Sequence, residues 1–533
     1  MQVAKANQLI EKLLAYGEKN NLLVEWDKIA ARNEIRDILE IKEAPAEALD
    51  SESELELADN PQPILDGLLD FAVAKSLIND NLTERDLLDT RIMGALTPRQ
   101  SEIAKRFYET AEEVDVKAAA EQYYNFAQKS NYIRLKRTSK NLNWKAESDY
   151  GQIEITINLS KPEKDPAEIA RAKAEPQSNY PKCYLCLENV GYAGSLNHPA
   201  RQNHRVIPLK LQNEDWFLQY SPYVYYNEHC IVFHREHKPM NINKNTFAVL
   251  MDFLDQIPHY FIGSNADLPL VGGSILNHDH FQGGRHIFPM EEAESVAYYE
   301  HPTFMDIEIS RLKWPLSVIR LRSAERGELI NLADKILQNW REYTDHGLKI
   351  KAYSKEEGKK TAHNTVTPIA RKRKYGSEEQ AEQYELDLVL RNNRCSEEYP
   401  YGIFHPHQKL HHIKKENIGL IEVMGRAILP GRLKKELNLI AEYLSAKLSL
   451  EELKAAEGMA KHLEWVEELE STYGNELQFE QAEKILEKET AKKFSQVLER
   501  AGVFKNDIVG VKGFERFLKS IGIKRLEDGN SEL

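Results

Sequence analysis

Two imidazoles and one carboxamide alternate along a short stretch of the chain that two glycine pairs enclose. His278, His280 and Gln282 are each separated by a single residue. Gly272–Gly273 precede this row, and Gly283–Gly284 follow it. On an extended backbone, side chains two positions apart point to the same face, so the three would form one row. Imidazole can be a metal ligand, a nucleophile or a proton carrier, and glycine lets backbone N–H groups approach a phosphate. The row therefore favours nucleotidyl or phosphoryl transfer, and the alternative is an ordinary polar strand face with solvated histidines.

A Cys-x-x-Cys pair is the second feature with chemistry of its own. Cys183 and Cys186 are two of only four cysteines in the chain. Such pairs commonly supply two thiolates to a tetrahedral zinc that Cys or His elsewhere completes. In our leading interpretation His237 and His278 complete the set, and four protein ligands would let the metal hold geometry rather than activate water. Two reduced, buried cysteines are the alternative, and a thioredoxin-type pair is disfavoured because no helical pattern begins there.

The periodicity of apolar residues divides the chain into three predicted parts. Residues 1–145 show helical stripes and no visible chemistry, which predicts a helical N-terminal region. Residues 146–310 contain a strand, a hairpin, a helix and then the histidine row, an α+β order built on antiparallel pairing. Residues 311–533 contain similar ingredients and become mainly helical after Leu433.

Three local patterns predict the elements around the row. The alternation from Ile153 to Leu159 predicts a half-buried strand. The apolar stripe from Phe247 to Leu254 predicts a helix that stops at the next proline, and Tyr384 to Leu390 form another predicted strand. Lys161 and Lys164 follow the first strand, where solvated lysines are the usual outcome and contact with a phosphate is the rarer one.

The composition limits the classes of function. Lys and Arg number 71 against 84 Asp and Glu, a net charge of −13, which argues against a general nucleic-acid binder. A local basic pocket can still bind phosphorylated substrates in an acidic protein. The start of the chain lacks the apolar core of a signal peptide, no apolar run approaches membrane-spanning length, and four cysteines are too few for a disulfide framework. We therefore expect a cytoplasmic protein.

Taken together, these motifs resemble one known family. The Cys-x-x-Cys pair, the Phe-x-x-x-His of Phe233–His237, and Gly-Gly-Ser before His-x-His-x-Gln resemble the galactose-1-phosphate uridylyltransferases of the histidine-triad superfamily. The stretch 274–284, with Ile153–Asp165 and His363–Arg371, resembles the second, bacterial class. The resemblance covers residues 150 to 430. It implies histidine-triad-like antiparallel sheets with packed helices, in two related halves beside a helical N-terminal region.

The resemblance also implies a reaction. The family exchanges UMP between UDP-glucose and galactose 1-phosphate through a uridylylated histidine, giving glucose 1-phosphate and UDP-galactose. By position, His280 resembles the nucleophile and Gln282 resembles the amide that binds the transferred phosphoryl oxygens. Cys183, Cys186, His237 and His278 resemble the zinc set. Positioning and charge stabilisation would dominate catalysis, because a sugar phosphate is a good leaving group.

Further residues are predicted to bind substrate: Asn265, Gly273, Ser274, Lys161, Lys164 and Glu422. Asn265 and Ser274 resemble phosphate contacts, and Glu422 resembles a hexose-hydroxyl contact from a second subunit, so a homodimer is expected. Two departures from the better-known class accompany these assignments. The spacing from Ser274 to His278 is one residue longer, and Asp279 stands where that class has proline.

A second His-x-His motif, at His405 and His407, echoes the first and suggests a duplication. Its His-Pro-His-Gln letters make His407 the rival nucleophile. We favour His280, because the second motif lacks a preceding Gly-Gly-Ser and a Cys-x-x-Cys pair in its own half. The pair also resembles a second, iron-type metal site whose other ligands the sequence does not identify.

Two other functions remain open at this point. A phosphorylase or hydrolase of the same superfamily, acting on nucleotide sugars or dinucleotide polyphosphates, would share the His-x-His core and differ in the acceptor. A non-catalytic, zinc-stabilised nucleotide-binding protein would have no need of an imidazole beside a metal-bound one. The products formed from UDP-glucose, with and without galactose 1-phosphate, would separate all three.

Overall fold

The computed structural model describes residues 3–42, 60–160, 179–273, 275–356, 358–374 and 382–526. By their contacts the residues form two compact units. The first consists of Met1–Lys140, Ser160–Val224 and Glu228–Lys238, and the second of Asn141–Leu159, Tyr225–Asn227 and Pro239–Leu533. The domain boundaries predicted near residues 145 and 310 stay predictions.

The helices and strands follow an α+β order, in which runs of helices and runs of strands succeed one another. The helices are α1 Val3–Lys19, α2 Lys28–Ile38, α3 Gln62–Ala74, α4 Leu82–Gly94, α5 Gln100–Glu113, α6 Val116–Lys129, α7 Leu135–Thr138, α8 Lys244–Gln256, α9 Arg326–Glu342, α10 Leu420–Val423, α11 Arg432–Leu444, α12 Leu450–Ala455, α13 Leu463–Tyr473, α14 Phe479–Ala501 and α15 Ile508–Ser520. The strands are β1 Leu142–Ser148, β2 Gly151–Asn158, β3 Ile207–Leu211, β4 Glu214–Tyr220, β5 Cys230–His234, β6 Phe261–Gly263, β7 His280–Gly284, β8 Ser295–Glu300, β9 Glu308–Leu312, β10 Val318–Ser323, β11 Tyr353–Glu356, β12 Lys359–Ala362, β13 Asn364–Lys374, β14 Glu382–Asn392, β15 Arg426–Pro430 and β16 Lys524–Arg525.

The first unit is mainly helical. Helices α1 to α4 pack around an apolar core that includes Ile10, Leu13, Leu65 and Ile92. Strands β3, β4 and β5 pair antiparallel in sequence order. The predicted helical N-terminal region is confirmed, because seven helices precede the first strand in the part of the chain that the structure describes. Among the described residues, none of the helices is both long and apolar enough to cross a membrane.

The second unit is built on a mainly antiparallel sheet. Its strands follow the order β16, β8, β9, β10, β14, β13, β6, β7. A smaller sheet has the order β1, β2, β15, in which β2 and β15 run parallel. One apolar core includes Ile155 of the smaller sheet, Val389 of the larger sheet, Trp314, and Phe494 of α14. The predicted α+β class with antiparallel sheets and packed helices is therefore confirmed.

Two of the predicted elements near the site form as expected. The stripe from Phe247 to Leu254 lies on α8 and is buried. Asn243 is the N-cap of this helix: its side-chain oxygen accepts hydrogen bonds from the backbone N–H groups of Asn245 and Thr246 at 2.8 and 3.3 Å. The strand predicted from Tyr384 to Leu390 lies within β14.

The strand predicted at Ile153 to Leu159 forms as β2, but the expectation that only one face is buried is wrong. Glu154 and Thr156 are buried as well as the isoleucines on the other face. Contacts compensate the buried charge of Glu154: His286 Nε2 and Arg426 Nη1 lie 2.8 and 2.9 Å from its Oε2. The polar face of β2 is thus part of the packing around the site.

Candidate active site

Strand β7 carries His280 and Gln282 of the histidine row. Hydrogen bonds from neighbouring residues to its backbone hold it in place. It pairs antiparallel with β6, with Gly263 opposite Gln282 and Phe261 opposite Gly284. The hydroxyl of Tyr226 donates to the carbonyl oxygen of Gly283 at 3.1 Å. His280 begins the strand and is buried, Gln282 follows two positions later, and His278 lies just before the strand. The strand therefore holds the candidate nucleophile, His280, and the candidate amide, Gln282, on one short paired segment.

The tautomer of His280 follows from one hydrogen bond. His280 Nδ1 lies 2.8 Å from the carbonyl oxygen of His278. A carbonyl oxygen only accepts, so Nδ1 carries the proton and Nε2 keeps its lone pair in the neutral ring. Burial lowers the pKa of His280 to about 4, although this hydrogen bond acts in the opposite direction. The ring is thus a neutral imidazole with one nitrogen available for bond formation.

Asn265 lies at the same end of the β6–β7 pair as His280, two residues beyond Gly263 as His280 lies two residues before Gln282. Its side chain is buried, and Oδ1 accepts the backbone N–H of Leu420 at 2.9 Å. Because a backbone N–H only donates, this contact identifies the amide oxygen and leaves Nδ2 pointing the other way.

The glycine pair before the row is required by close packing. A Cβ atom at Gly273 would lie 2.8 Å from Asn265 Nδ2, and one at Gly272 would collide with the carbonyl oxygen of Ala266. Any other residue would therefore displace the 265–266 backbone or the Asn265 amide. Gly273 and Asn265, both predicted to bind substrate, are brought into contact.

Four potential metal ligands gather as the sequence predicted. One ligand atom from each of Cys183, Cys186, His237 and His278 lies within 4.8 Å of the others. Cys186 Sγ is 3.6 Å from Cys183 Sγ and 3.2 Å from His237 Nδ1. Two thiols and two imidazoles form a cluster that could hold a metal ion.

Glu422 is buried and bound within its own chain. Its Oε1 accepts from Lys414 Nζ at 2.9 Å, and its Oε2 accepts the backbone N–H of Gly419 at 3.2 Å. The predicted contact of Glu422 with a hexose stays a prediction. Ser274, Lys161 and Lys164 lie outside the described residues.

The second His-x-His motif has a different environment. His405 Nδ1 lies 3.1 Å from the carbonyl oxygen of Pro406, and His407 Nε2 lies 3.4 Å from that of Ile403. Burial lowers the pKa of His405 to about 4. In the part of the chain that the structure describes, neither belongs to a group of three or more potential metal ligands. The second metal site stays a prediction.

Sequence reasoning missed the anchor at the far end of β7. His286, two residues beyond the strand, contacts the buried Glu154, and Tyr226 stacks on the His286 ring with centroids 5.8 Å apart. Burial by itself raises the pKa of Glu154, but the hydrogen bond and charge of His286, with Arg426 and Lys145, lower it to about 2. The only signal for this contact in the sequence was the even spacing of His286 from His280 and Gln282. Its partner, Glu154, lies on β2, which is distant in the sequence.

Comparisons with known proteins place this chain in a class of enzymes. Residues 31–239 match the family model for the galactose-1-phosphate uridyl transferase N-terminal domain, and residues 253–465 match that for the C-terminal domain. These are nucleotidyltransferases. A buried neutral imidazole beside an amide is suited to the chemistry of this class, because the imidazole can act as a nucleophile.

Relatives over nearly the whole length agree with the domain matches. The chain is 54% identical to the galactose-1-phosphate uridylyltransferase of Caldanaerobacter subterraneus subsp. tengcongensis, covering 97% of this chain and 98% of the relative. It is 51% identical to that of Fusobacterium nucleatum, covering 96% and 98%, and 47% identical to that of Bacillus subtilis, covering 98% and 99%. No solved structure gives a significant match. The chain belongs to the galactose-1-phosphate uridylyltransferase family.

Proposed function

We propose that the chain exchanges UMP between UDP-glucose and galactose 1-phosphate through a covalent intermediate on His280. The observation that carries this proposal is the hydrogen bond from His280 Nδ1 to the His278 carbonyl, which leaves Nε2 as the nucleophilic nitrogen. Nε2 attacks the α-phosphorus of UDP-glucose, forming a P–N bond. The P–O bond to glucose 1-phosphate breaks, and that product leaves with the electron pair. A phosphate oxygen of galactose 1-phosphate then attacks the same phosphorus, giving UDP-galactose and restoring His280.

The neighbouring amides stabilise the charge on the transferred group. Gln282 follows His280 on the same strand, and Asn265 presents its Nδ2 toward the Gly273 backbone. Amide N–H groups fixed before the reaction stabilise charge on phosphoryl oxygens without reorganisation. We assign this role to Gln282 and Asn265, with the backbone at Gly273, and Ser274 remains a predicted phosphate contact. Lys161 and Lys164 remain predicted phosphate contacts.

The cysteine–histidine cluster fits zinc. A tetrahedral zinc with Zn–S of about 2.3 Å and Zn–N of about 2.0 Å places its ligand atoms about 3.5 Å apart. The separations of 3.6 and 3.2 Å at Cys186 agree with that spacing. A metal bound there supplies cross-links rather than an activated water, because four protein ligands close its shell. His278 is a member of this cluster, and its own backbone carbonyl orients His280, so the ligand set and the nucleophile share one residue.

We also expect a homodimer and a cytoplasmic location. The homodimer follows from the resemblance of Glu422 to a contact made by a second subunit. The location agrees with the low number of cysteines. Sugar phosphates and nucleotide sugars are the expected small-molecule partners.

Substitution of the two candidate histidines tests the proposal. His280→Asn is expected to abolish formation of UDP-galactose, with the folded state retained by circular dichroism, because asparagine has no nucleophilic nitrogen. The matched His407→Asn variant is expected to keep measurable turnover. The reverse result would mean that the catalytic centre contains His407 and lies in the other half of the chain. With the natural sequence, UDP formed on addition of phosphate would indicate a phosphorylase, and steady release of UMP to water would indicate a hydrolase.

A further inference from the structure

The carboxamide of Asn265 is oriented by a turn that lies far away in the sequence. Leu420 donates its backbone N–H to Asn265 Oδ1 at 2.9 Å. The preceding residue, Gly419, passes so close that an added Cβ would lie 3.1 Å from the same oxygen. The amide nitrogen therefore faces Gly273, on the side where the phosphoryl group is expected. The turn decides which end of Asn265 is presented to substrate.

A buried ion pair holds this turn. Glu422 Oε2 accepts the backbone N–H of Gly419 at 3.2 Å, and Glu422 Oε1 accepts from Lys414 Nζ at 2.9 Å. Lys414 Nζ also donates to the carbonyl oxygen of Ile428 on β15 at 2.8 Å. The side chains of Lys414 and Glu422 are only 6% and 11% exposed. The turn is thus tied through two side chains to the β1–β2–β15 sheet.

A second buried cation lies against the same turn. Arg391 at the end of β14 is 1% exposed and donates from Nη2 to the carbonyl oxygen of Ile418 at 2.9 Å. Its Nε has no hydrogen-bond partner among the described residues. Burial lowers the pKa of Arg391 to about 10, and the negative charge of Glu422 opposes that shift. Lys414 thus contacts the buried carboxylate of Glu422, and Arg391 lies near enough for its charge to interact with it.

Such an arrangement is poorly explained by stability alone. Removing two charges from water costs several kcal/mol per ion, and replacing a buried pair by apolar side chains is often neutral or stabilising. A buried pair is better suited to fixing one conformation of the segment that it binds. Here that segment carries the backbone N–H that orients Asn265.

We propose that Lys414 and Glu422 are positioning residues for uridylyl transfer, acting through the Gly419–Leu420 backbone on the carboxamide of Asn265. This inference rests on the proposed function. It gives Glu422 a role within its own chain in addition to the predicted contact with a hexose, because each carboxylate oxygen accepts one hydrogen bond there and has a further lone pair. Neither residue needs to touch the substrate for this role.

A double-mutant cycle tests the proposal. Lys414→Met is expected to lower kcat/KM for uridylyl transfer about 10- to 100-fold, because small misplacements of a positioning group have effects of that size. In an Asn265→Ala background the same substitution is expected to have almost no further effect, since its target is gone. Lys493→Met is the control: it removes an ion pair of similar length, 2.8 Å to Glu468 between α13 and α14, and is expected to leave kcat/KM unchanged.

Gly419→Ala tests the same link without removing a charge. Its added Cβ would press against Asn265 Oδ1 and against Glu422 Oε2 at 3.3 Å, so a loss of kcat/KM like that of Lys414→Met is expected. This variant also decides the matter if Lys414→Met does not fold. Full kcat/KM in folded Gly419→Ala, or equal losses for Lys414→Met with and without Asn265, would overturn the proposal. Activity in His280→Asn would instead overturn the proposed function.

Discussion

The imidazole of His280 and the carboxamide of Asn265 each have one hydrogen-bonding atom fixed by a backbone group. The His278 carbonyl oxygen accepts the hydrogen bond that His280 Nδ1 donates, and the Leu420 N–H donates to Asn265 Oδ1. Each side chain therefore presents its remaining nitrogen in a defined direction. Backbone groups cannot change protonation state in the working range of pH, so both orientations are set by the fold.

Gly273 provides a test at this scale. In Gly273→Ala the new methyl group would lie 2.8 Å from Asn265 Nδ2 and force the amide away from its position. We expect kcat/KM to fall about 10- to 100-fold with little change in thermal stability. Gly327→Ala is the matched control, because nothing lies within 4 Å of the added atom. Equal activity of the two variants would mean that the Asn265 amide does not contribute to transfer.

Strand β7 is held by contacts along its second half and just beyond its end. Strand β6 pairs with Gln282 to Gly284, and the hydroxyl of Tyr226 donates to the carbonyl oxygen of Gly283. Beyond its end, His286 pairs with Glu154 on β2, and Arg426 on β15 pairs with the same carboxylate. The smaller sheet is thereby attached to the segment that carries the nucleophile.

The Glu154 pair predicts a dependence of stability on pH. The pKa of this carboxyl is about 2 in the folded chain against 4.5 ordinarily, so its contribution is present above pH 4.5 and is lost as pH falls toward 2. A shift of this size corresponds to about 3 kcal/mol. Thermal unfolding midpoints from pH 6 to pH 3 should therefore fall more steeply for the natural sequence than for Glu154→Gln. Parallel profiles would show that His286, Arg426 and Lys145 do not stabilise the ionised form.

Local sequence patterns predicted helices and strands of the molecule, but they did not predict contacts between residues that are distant in the sequence. The stripe on α8 and the alternation in β2 depend on neighbours a few residues apart, so their periodicity is visible in the sequence. Asn265 and Leu420 are 155 positions apart, and Glu154 and His286 are 132 apart. No periodicity links such pairs. For that reason the burial of Glu154 and the contacts of Glu422 within its own chain were not foreseen. The cysteine–histidine cluster also joins distant residues, but it was foreseen because a Cys-x-x-Cys pair is a recognisable metal-ligand motif.

The cluster makes a prediction for the whole chain. Elemental analysis of the purified protein should give about one zinc per chain. Cys183→Ser and Cys186→Ser should lose the metal and unfold at lower temperature, because metal binding contributes to the free energy of folding. Cys395→Ser, at an exposed position outside the cluster, should retain both properties. Metal-free protein with unchanged stability and activity would contradict a structural zinc.

The covalent intermediate on His280 is the central claim, and labelling in the absence of acceptor tests it most directly. After incubation with UDP-glucose labelled in the uridine, label should remain on the protein, because UMP has no galactose 1-phosphate to receive it. Phosphorus–nitrogen bonds to imidazole break in acid and survive alkali, so the label should be released only at low pH. Peptide mapping in alkali should locate it on His280, and galactose 1-phosphate should discharge it as UDP-galactose. Active protein that never carries label on His280 would contradict the account.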